Sequence, residues 1–190
     1  MHLHPEKTDE EVVAMSLRQR EFFGILIERY QDKLARYVRR LGVRSEDDVA
    51  DVLQETFIKV YRNLNEFDSS FSFSSWVYRI AHNETMSWHR KRSVRPEGYL
   101  IDDGDAVLSL LTSDDDSDEE RFDAGIDAER LSKAVASLDA KYRDVVILRF
   151  FEHKEYDEIS DILKIPIGSV GTQIHRAKKQ LRTLLDTELH

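Results

Sequence analysis

Apolar residues recur at intervals of three and four in two blocks of this 190-residue chain, and no stretch of useful length alternates with a period of two. Because an α-helix turns once every 3.6 residues, this spacing collects the apolar side chains of each segment on one face. The pattern predicts an all-α protein without a sheet. The blocks cover residues 17–92 and 126–190, which predicts two small helical domains, each with its own core.

The stretch between the two blocks is strongly acidic. Residues 93–125 hold two Lys or Arg and 11 Asp or Glu, whereas residues 1–92 hold 15 of each kind and residues 126–190 hold 11 of each. The formal net charge of −9 therefore arises in the middle segment. Such a composition buries too little apolar surface to offset its ordering entropy, which predicts a flexible acidic linker. Residues 1–16 are expected to form an N-terminal extension with a frayed end.

Several classes of protein are excluded or disfavoured. The chain contains no cysteine, which rules out disulfides and cysteine-ligated zinc. His82 and His89 are seven positions apart, unlike the i, i+4 pair of a zinc protease, and the motifs of phosphate loops and nucleophile elbows are missing. We expect no enzyme, no metal and no cofactor. No run reaches the roughly 18 apolar residues of a membrane span, so we expect a cytoplasmic protein without membrane insertion.

The first block is predicted to form helices over residues 22–41, 45–64 and 74–91. Ser45, followed three residues later by Asp48, is expected to cap the second of them. The exposed side of that helix is predicted to present Asp48, Asp51, Gln54, Glu55 and Ile58. Two interpretations of this side are open: a solvated acidic face, or a docking surface for a basic partner helix.

The second block is predicted to form helices over residues 126–137, 139–151 and 157–163, then a turn at Lys164 and Ile165 and a last helix that begins at Pro166. The buried face of the last helix is expected to consist of Ile167, Val170, Ile174, Ala177, Leu181 and Leu184. Its outer face is expected to carry Thr172, His175, Arg176, Lys179 and Arg182. This arrangement is typical of a helix-turn-helix with a basic face that enters a DNA major groove, although a solvated surface has the same pattern.

Three motifs together resemble one family. "DDVADVLQETFIKVYRNLNEF", "FSFSSWVYRIAHNETMSWHRKR" and "YDEISDILKIPIGSVGTQIHRAKKQL" occur in this order, with the acidic segment between the second and third. The chain resembles a sigma factor of bacterial RNA polymerase from the extracytoplasmic-function group, which retains only the region-two and region-four domains. The resemblance covers roughly residues 17–92 and 126–185 and implies that the protein directs core polymerase to specific promoters.

The resemblance implies a role for particular residues. The docking surface for the largest catalytic polymerase subunit would include Asp48, Asp51, Gln54 and Glu55. A pocket that holds a flipped base of the minus-ten promoter element would be lined by Phe67, Ser70, Phe71 and Asn83, while Trp76 fills the core of its own domain. Backbone phosphates near that element would be held by Arg79, His89, Arg90, Lys91 and Arg92. The minus-thirty-five element would face Ser169, Thr172, Gln173, His175, Arg176 and Lys179.

The last helix departs from the family pattern at two positions. Many relatives carry a basic residue where this chain has Gly171 and another where it has Gln173. The loss of two cations is expected to weaken the electrostatic part of DNA binding and to change the base preference.

The resemblance also implies partners and regulation. Core RNA polymerase, promoter DNA and an anti-sigma factor are the expected partners, and an envelope or environmental stress is the expected signal. The acidic linker is expected to pass through polymerase toward the RNA exit path. Two other hypotheses are an autonomous helix-turn-helix regulator and a helical adaptor whose linker competes with nucleic acid. Only the sigma-factor hypothesis requires the exposed "DVLQETF" face.

Overall fold

The computed structural model of the protein describes residues 7–92 and 128–187. Within these two ranges every regular element is a helix and no strand occurs, which confirms the predicted all-α class. The chain divides into two compact units, the first built mainly from residues before the acidic segment and the second mainly from residues after it. The predicted linker, residues 93–125, lies outside the described residues.

Over residues 7–92, the first unit contains α1 (Asp9–Arg18), α2 (Phe23–Arg40), α3 (Glu46–Arg62) and α4 (Phe73–Arg92). Short 3-10 helices precede α2 at Arg20–Phe22 and follow α3 at Leu64–Glu66. The three helices predicted for this block correspond to α2, α3 and α4, and their ends agree to within about two residues.

The core of the first unit is formed where the apolar stripe of α2 meets α3 and α4. Val38 of α2 clusters with Val43, Val49 and Val52, and Trp88 of α4 packs against this cluster. Aromatic rings join α2 to α4, with Tyr37 and Tyr78 at 5.1 Å between ring centres. Truncation of one such buried side chain to Ala costs about 2–5 kcal/mol, so the helices are held mainly by this packing.

The predicted capping box at the start of α3 is wrong. Ser45 has the extended backbone of an N-cap residue (φ −70°, ψ 133°), but its side chain makes no capping hydrogen bond. The Asp48 carboxylate pairs instead with Arg92 of α4, at 2.6 Å. Glu46, Asp47 and Asp48 still place negative charge in the first turn, where the helix dipole favours it.

Helix α1 lies in a segment for which the apolar spacing predicts no helix. Its start is fixed by a reciprocal capping box: Thr8 Oγ1 accepts from the Glu11 N–H at 3.2 Å, and the Glu11 carboxylate accepts from the Thr8 N–H at 2.8 Å. Val12, Val13 and Ser16 are buried. These residues therefore belong to the packed part of the first unit, and the expectation of an extension over residues 1–16 does not describe them.

Over residues 128–187, the second unit contains α5 (Ala128–Ala136), α6 (Ala140–Val146), α7 (Tyr156–Leu163) and α8 (Ile167–Thr187). A π-helical segment, Ile147–Phe151, continues α6. Lys164 adopts the left-handed conformation (φ 55°, ψ 45°) and turns the chain between α7 and α8. The predicted helix-turn-helix is therefore present.

The buried face of α8 differs from the predicted one at both ends. The positions that agree are Val170, Ile174, Ala177 and Leu181. Ile167 is 55% exposed, because it is the first residue of the helix and precedes the part that packs. Leu185 is buried in place of Leu184, since i+3 and i+4 from Leu181 both lie near the same face and the packing selects the second.

Candidate functional site

A groove of about 390 Å³ runs between α3 and α4 on the surface of the first unit. Three predicted polymerase contacts, Asp51, Gln54 and Glu55, are exposed and line its α3 side. The α4 side is formed by Glu84, Ser87, Trp88 and Lys91. Carboxylates, an amide and an indole in one groove suit a partner that offers cationic and hydrogen-bonding side chains.

Ion pairs join the two walls of this groove. Lys59 of α3 donates to the Glu84 carboxylate at 2.5 Å, and Arg92 of α4 pairs with Asp48 at 2.6 Å. The Arg92 guanidinium also lies over the Trp88 ring, 5.0 Å from its centre. These contacts cross between α3 and α4, whose spacing is set mainly by the packing of their apolar faces. The sequence pattern did not identify the α4 wall, because periodicity within one helix carries no information about its neighbour.

Asp48 is less available than the sequence predicted. Its side chain is 15% exposed and is occupied by Arg92, whereas the neighbouring positions Asp51, Gln54 and Glu55 are exposed. Arg92, predicted to hold a DNA phosphate, is the partner of a predicted polymerase contact. The structure therefore brings together two residues that the sequence assigned to different surfaces.

The loop of residues 67–72 precedes α4 and carries three of the predicted minus-ten contacts. Ser70 is exposed and Phe71 is 57% exposed. Asp68 shapes the loop: its carboxylate accepts from the Ser70 N–H at 2.9 Å, and this hydrogen bond holds the pKa of Asp68 below its usual range. Phe67 is half-buried and packs on Trp76, with 5.3 Å between ring centres, so it supports the loop from below.

The predicted contacts on α4 do not all lie on its surface. Asn83, Arg90 and Lys91 are exposed, and Arg79 lies one turn before Asn83. Trp76 and Asn83 are seven positions, or about two turns, apart in α4. They therefore lie on the same face of this helix, about 10 Å apart along its axis. His89 is only 6% exposed and packs edge-on against Trp88 at 4.9 Å. The prediction that His89 faces solvent to hold a phosphate is wrong, because the α4 stripe turns it inward.

His82 is a half-buried polar residue of the first unit. Its Nδ1 lies 3.1 Å from the Tyr37 hydroxyl, and burial lowers the pKa of His82 to about 4. The imidazole is therefore neutral at pH 7. His82 joins α2 to α4 through its contact with Tyr37.

The outer face of α8 presents the predicted basic side chains. Thr172, His175, Arg176 and Lys179 are exposed. Ser169 and Gln173 are half-buried at the edges of this face, as is Arg182. The four exposed residues span two turns, which is the length of helix that can lie in a major groove.

Tyr142 of α6 contributes to this face from outside the helix-turn-helix. The side chain of Arg176 forms a hydrogen bond with its hydroxyl, and this bond, with a further one to Lys141, lowers the pKa of Tyr142 from its ordinary value. Arg176 is thereby oriented by a neighbour in α6. The sequence pattern missed Tyr142, whose body is buried and whose position in α6 predicts only a core residue.

Gly171, where the chain departs from the family pattern, is not required by packing. A Cβ atom at this position would lie 3.5 Å from a ring carbon of Tyr156, an ordinary van der Waals contact. A side chain that begins with a Cβ atom therefore fits at position 171. Lack of space does not explain why this position carries no cation.

Across residues 7–92 and 128–187, no group of three or more His, Asp or Glu side chains could hold a metal ion. In those same ranges, no helix is both long and apolar enough to cross a membrane.

Comparison with known families and proteins identifies both units. The family model described as Sigma-70 region 2 matches residues 26–95, and the one described as Sigma-70, region 4 matches residues 128–181. The ECF RNA polymerase sigma factor SigW of Bacillus subtilis is 32% identical over 168 residues, which is 86% of this chain and 88% of SigW. The RNA polymerase sigma factor CnrH of Cupriavidus metallidurans is 29% identical over 189 residues, 98% of each chain.

Solved structures agree. A structure of CnrH in complex with the cytosolic domain of CnrY has a TM-score of 0.68 and 25% identity, and the match covers 95% of this chain and 99% of that one. The sigma factor RpoE of Bartonella quintana, solved with the anti-sigma factor NepR, has a TM-score of 0.54 at 23% identity, covers 80% of this chain and 89% of that one, and shows the shared fold. From its sequence and fold together, the chain belongs to the extracytoplasmic-function (ECF) sigma factors of RNA polymerase.

Proposed function

We propose that this sigma factor divides its work between its two units. As a family member it directs core RNA polymerase to promoters and has no catalysis of its own. In our proposal, residues 17–92 dock on core polymerase and engage the minus-ten element, and residues 126–190 engage the minus-thirty-five element. Residues 93–125 tether the two domains, and α1 (Asp9–Arg18) packs with the first.

The observation that carries the docking proposal is the exposed edge of Asp51, Gln54 and Glu55 along the α3–α4 groove. The carboxylates of Asp51 and Glu55 and the amide of Gln54 offer hydrogen-bond acceptors to a partner. They lie on α3, whose apolar face is already buried in the first unit. A basic helix of the largest polymerase subunit supplies matching donors. Asp48 supports the edge through its pair with Arg92.

The test is the affinity of purified core polymerase for the Gln54→Ala, Glu55→Ala double variant. We expect binding to weaken by at least about 30-fold, because central interface residues typically contribute 2 kcal/mol or more. The matched control is a Gln31→Ala, Asp32→Ala double variant, which removes the same kinds of group from exposed positions of α2. This control should bind like the wild type.

Equal affinity of the docking variant and its control would contradict the proposal. A wild-type protein that ignores core polymerase and binds duplex DNA by itself would return the autonomous-regulator hypothesis to consideration.

For the minus-ten element, we propose that Ser70, Phe71 and Asn83 contact an unpaired base. Extrusion of a base costs a few kcal/mol, which stacking on Phe71 and hydrogen bonds to the polar pair must offset. Phe67 serves as the floor of the loop. Backbone phosphates then meet Arg90 and Lys91 directly. Arg79 and Arg92 each hold a carboxylate in an ion pair, so in this proposal they contact phosphates only after that partner is exchanged.

For the minus-thirty-five element, we propose that Arg176 makes the principal contact. It is exposed on α8 and its guanidinium is oriented by Tyr142, which suits a bidentate contact to a base or phosphate. The surrounding contacts would come from Ser169, Thr172, Gln173, His175 and Lys179.

We also propose an anti-sigma factor as a regulatory partner, released by an envelope or environmental stress. CnrH was solved with the cytosolic domain of CnrY, and RpoE with the anti-sigma factor NepR. The proposed working compartment is the cytoplasm, where core polymerase and promoter DNA are found. Co-purification of a partner that blocks core binding would test this regulation, and full activity under all growth conditions would contradict it.

A further inference from the structure

Helix α1 lies against both ends of the loop of residues 67–72. It contacts the 3-10 helix Leu64–Glu66, which precedes the loop, and α4, whose first turn follows it. Its own inner face is buried through Val12, Val13 and Ser16. The segment without a role in the proposed function therefore adjoins the part of the first unit that we assign to the unpaired base.

Glu10 of α1 makes the direct connection to α4. Its Oε1 accepts a hydrogen bond from the backbone N–H of Phe73 at 3.2 Å. Phe73 is the first residue of α4, so this N–H has no acceptor within the helix. A carboxylate at this end is further favoured by the helix dipole.

A second, local cap comes from the loop itself. Ser72 Oγ accepts from the Ser75 N–H at 3.4 Å. Since Ser72 directly follows Phe71, the conformation of the first turn of α4 and that of the exposed end of the loop are linked. The two caps bind different N–H groups of this turn, and the hydrogen bond to Glu10 is the shorter of the two.

Asp9 anchors α1 so that Glu10 is held in place. Its carboxylate pairs with Arg29 at 2.5 Å and accepts a hydrogen bond from the Tyr30 hydroxyl. The Tyr30 ring then packs edge-on against Phe73, with 5.5 Å between ring centres. Burial, followed by the bond to Asp9, raises the pKa of Tyr30, so the phenol remains a neutral donor.

We propose that α1 is a positioning element for promoter recognition: Glu10 caps α4 and thereby holds Ser70 and Phe71 ready for an unpaired minus-ten base. Glu10 touches no DNA in this account and acts through the loop. The inference rests on the proposed function, because it requires that the loop contact the base.

The test compares Glu10→Ala, Glu10→Gln and a Glu28→Ala control, which removes an exposed carboxylate from α2. Each variant is assembled with core polymerase. The probe is a single-stranded non-template oligonucleotide that covers the minus-ten element of a promoter mapped from the 5′ ends of transcripts the wild-type holoenzyme makes on genomic DNA. Affinities for this probe and for core polymerase are measured side by side.

We expect Glu10→Ala to bind the oligonucleotide about three- to tenfold more weakly, the range expected for a lost helix cap, with core affinity unchanged. Glu10→Gln keeps an amide oxygen that can accept from Phe73 and should recover most of the affinity. If Glu10→Ala matches the Glu28→Ala control, or if it weakens core binding as much as oligonucleotide binding, the inference is wrong.

A Phe71→Ala variant separates this inference from the proposed function. Weak oligonucleotide binding by Phe71→Ala together with normal binding by Glu10→Ala would overturn the role of α1 alone. Normal binding by Phe71→Ala would overturn the proposed base contact, and the role of α1 with it.

Discussion

The α3–α4 groove and the outer face of α8 both present charged side chains, yet they are built in different ways. The exposed residues Thr172, Arg176 and Lys179 of the α8 face all belong to one helix and come together through the helical repeat, and Tyr142 of α6 adds to them from outside. The groove needs two helices, and its wall on α4 lies opposite α3 because the two helices pack together, with ion pairs between residues far apart in the chain crossing between them. A surface made by one helix can be derived from periodicity, whereas a surface made by two requires their packing.

The same difference appears in the charged residues. On α8, the predicted cation Arg176 is exposed, and its added partner Tyr142 orients it. Beside the groove, Asp48 of α3 and Arg92 of α4 neutralise each other. The pattern of one helix can therefore predict an exposed, unpaired charge correctly only where no neighbouring helix places an opposite charge beside it.

The largest expected effect tests the one-helix surface. Arg176→Ala should weaken binding of the holoenzyme to promoter duplex by up to about 3 kcal/mol, because a bidentate contact typically contributes 1–3 kcal/mol. Fluorescence anisotropy with labelled duplex measures this. Lys133→Ala removes an exposed cation of α5 and is the control. An Arg176→Ala holoenzyme with wild-type affinity would show that α8 does not depend on this side chain.

The second prediction is that the stabilities of the two units change in opposite directions as the pH falls. Burial lowers the pKa of His82 to about 4 in the folded protein, below its unfolded value of 6.5. Between these values the unfolded state binds more protons, so stability is lost as the pH falls. At pH 5 the first unit should be less stable than at pH 7 by about 2 kcal/mol. The protein's two tryptophans, Trp76 and Trp88, both lie in α4, so urea unfolding followed by their fluorescence reports on this unit.

The second unit should respond in the opposite direction. Burial raises the pKa of Asp144 in α6 to about 6, above its unfolded value of 3.8, although Arg143 opposes the shift. A raised carboxyl pKa gives stability that is present at low pH and lost as the pH rises through about 6. Hydrogen exchange of α6 should therefore slow, relative to the intrinsic exchange rate, between pH 6.5 and 5. The control His82→Asn should reduce the acid sensitivity of the first unit and leave α6 unchanged; equal acid sensitivity in this variant and the wild type would contradict the assignment.

A smaller effect concerns Gly171. Gly171→Arg adds a cation on α8 where the first side-chain atom has room beside Tyr156. We expect promoter affinity to rise about fivefold and the salt dependence to steepen by about one phosphate contact. Gly171→Ala is the control, since it raises helix propensity without adding charge. An unchanged salt slope in Gly171→Arg would mean that position 171 does not face the DNA backbone.

The smallest effect probes the two-helix surface. A double-mutant cycle with Asp48→Asn and Arg92→Gln should give a coupling of about 0.5 kcal/mol in urea unfolding, because the Arg92 side chain is 51% exposed and such pairs contribute little. If Asp48 supports the groove through Arg92, both single variants should weaken core binding equally. A loss of core binding in Asp48→Asn alone would instead make Asp48 a direct polymerase contact.

Most of the fold follows from the sequence. The three- and four-residue spacing predicted α2, α3, α4 and the helix-turn-helix, because burial of an apolar stripe decides these elements. Helix α1 was missed, since its acids obscure a short apolar face, although Thr8 and Glu11 carry a capping signature. Ser45 carries a similar signature that the structure does not use, so such motifs need tertiary support.

Less of the site follows from it. The family motifs indicated the exposed edge of α3 and the face of α8. They did not reveal that His89 turns inward, that Arg92 is paired with Asp48, or that Trp88 and Tyr142 complete the two surfaces. The inward turn of His89 continues the buried stripe of α4 through Ala81 and Thr85. The other features depend on contacts between helices, which a single sequence does not encode as a pattern.

In our proposal, docking on polymerase and reading of the promoter belong to separate surfaces of this sigma factor. The most direct measurement is run-off transcription from one mapped promoter at increasing core polymerase, with the Gln54→Ala, Glu55→Ala variant and with Arg176→Ala. We expect excess core polymerase to restore transcription by the docking variant and not by Arg176→Ala. Restoration of both variants, or of neither, would contradict the separation.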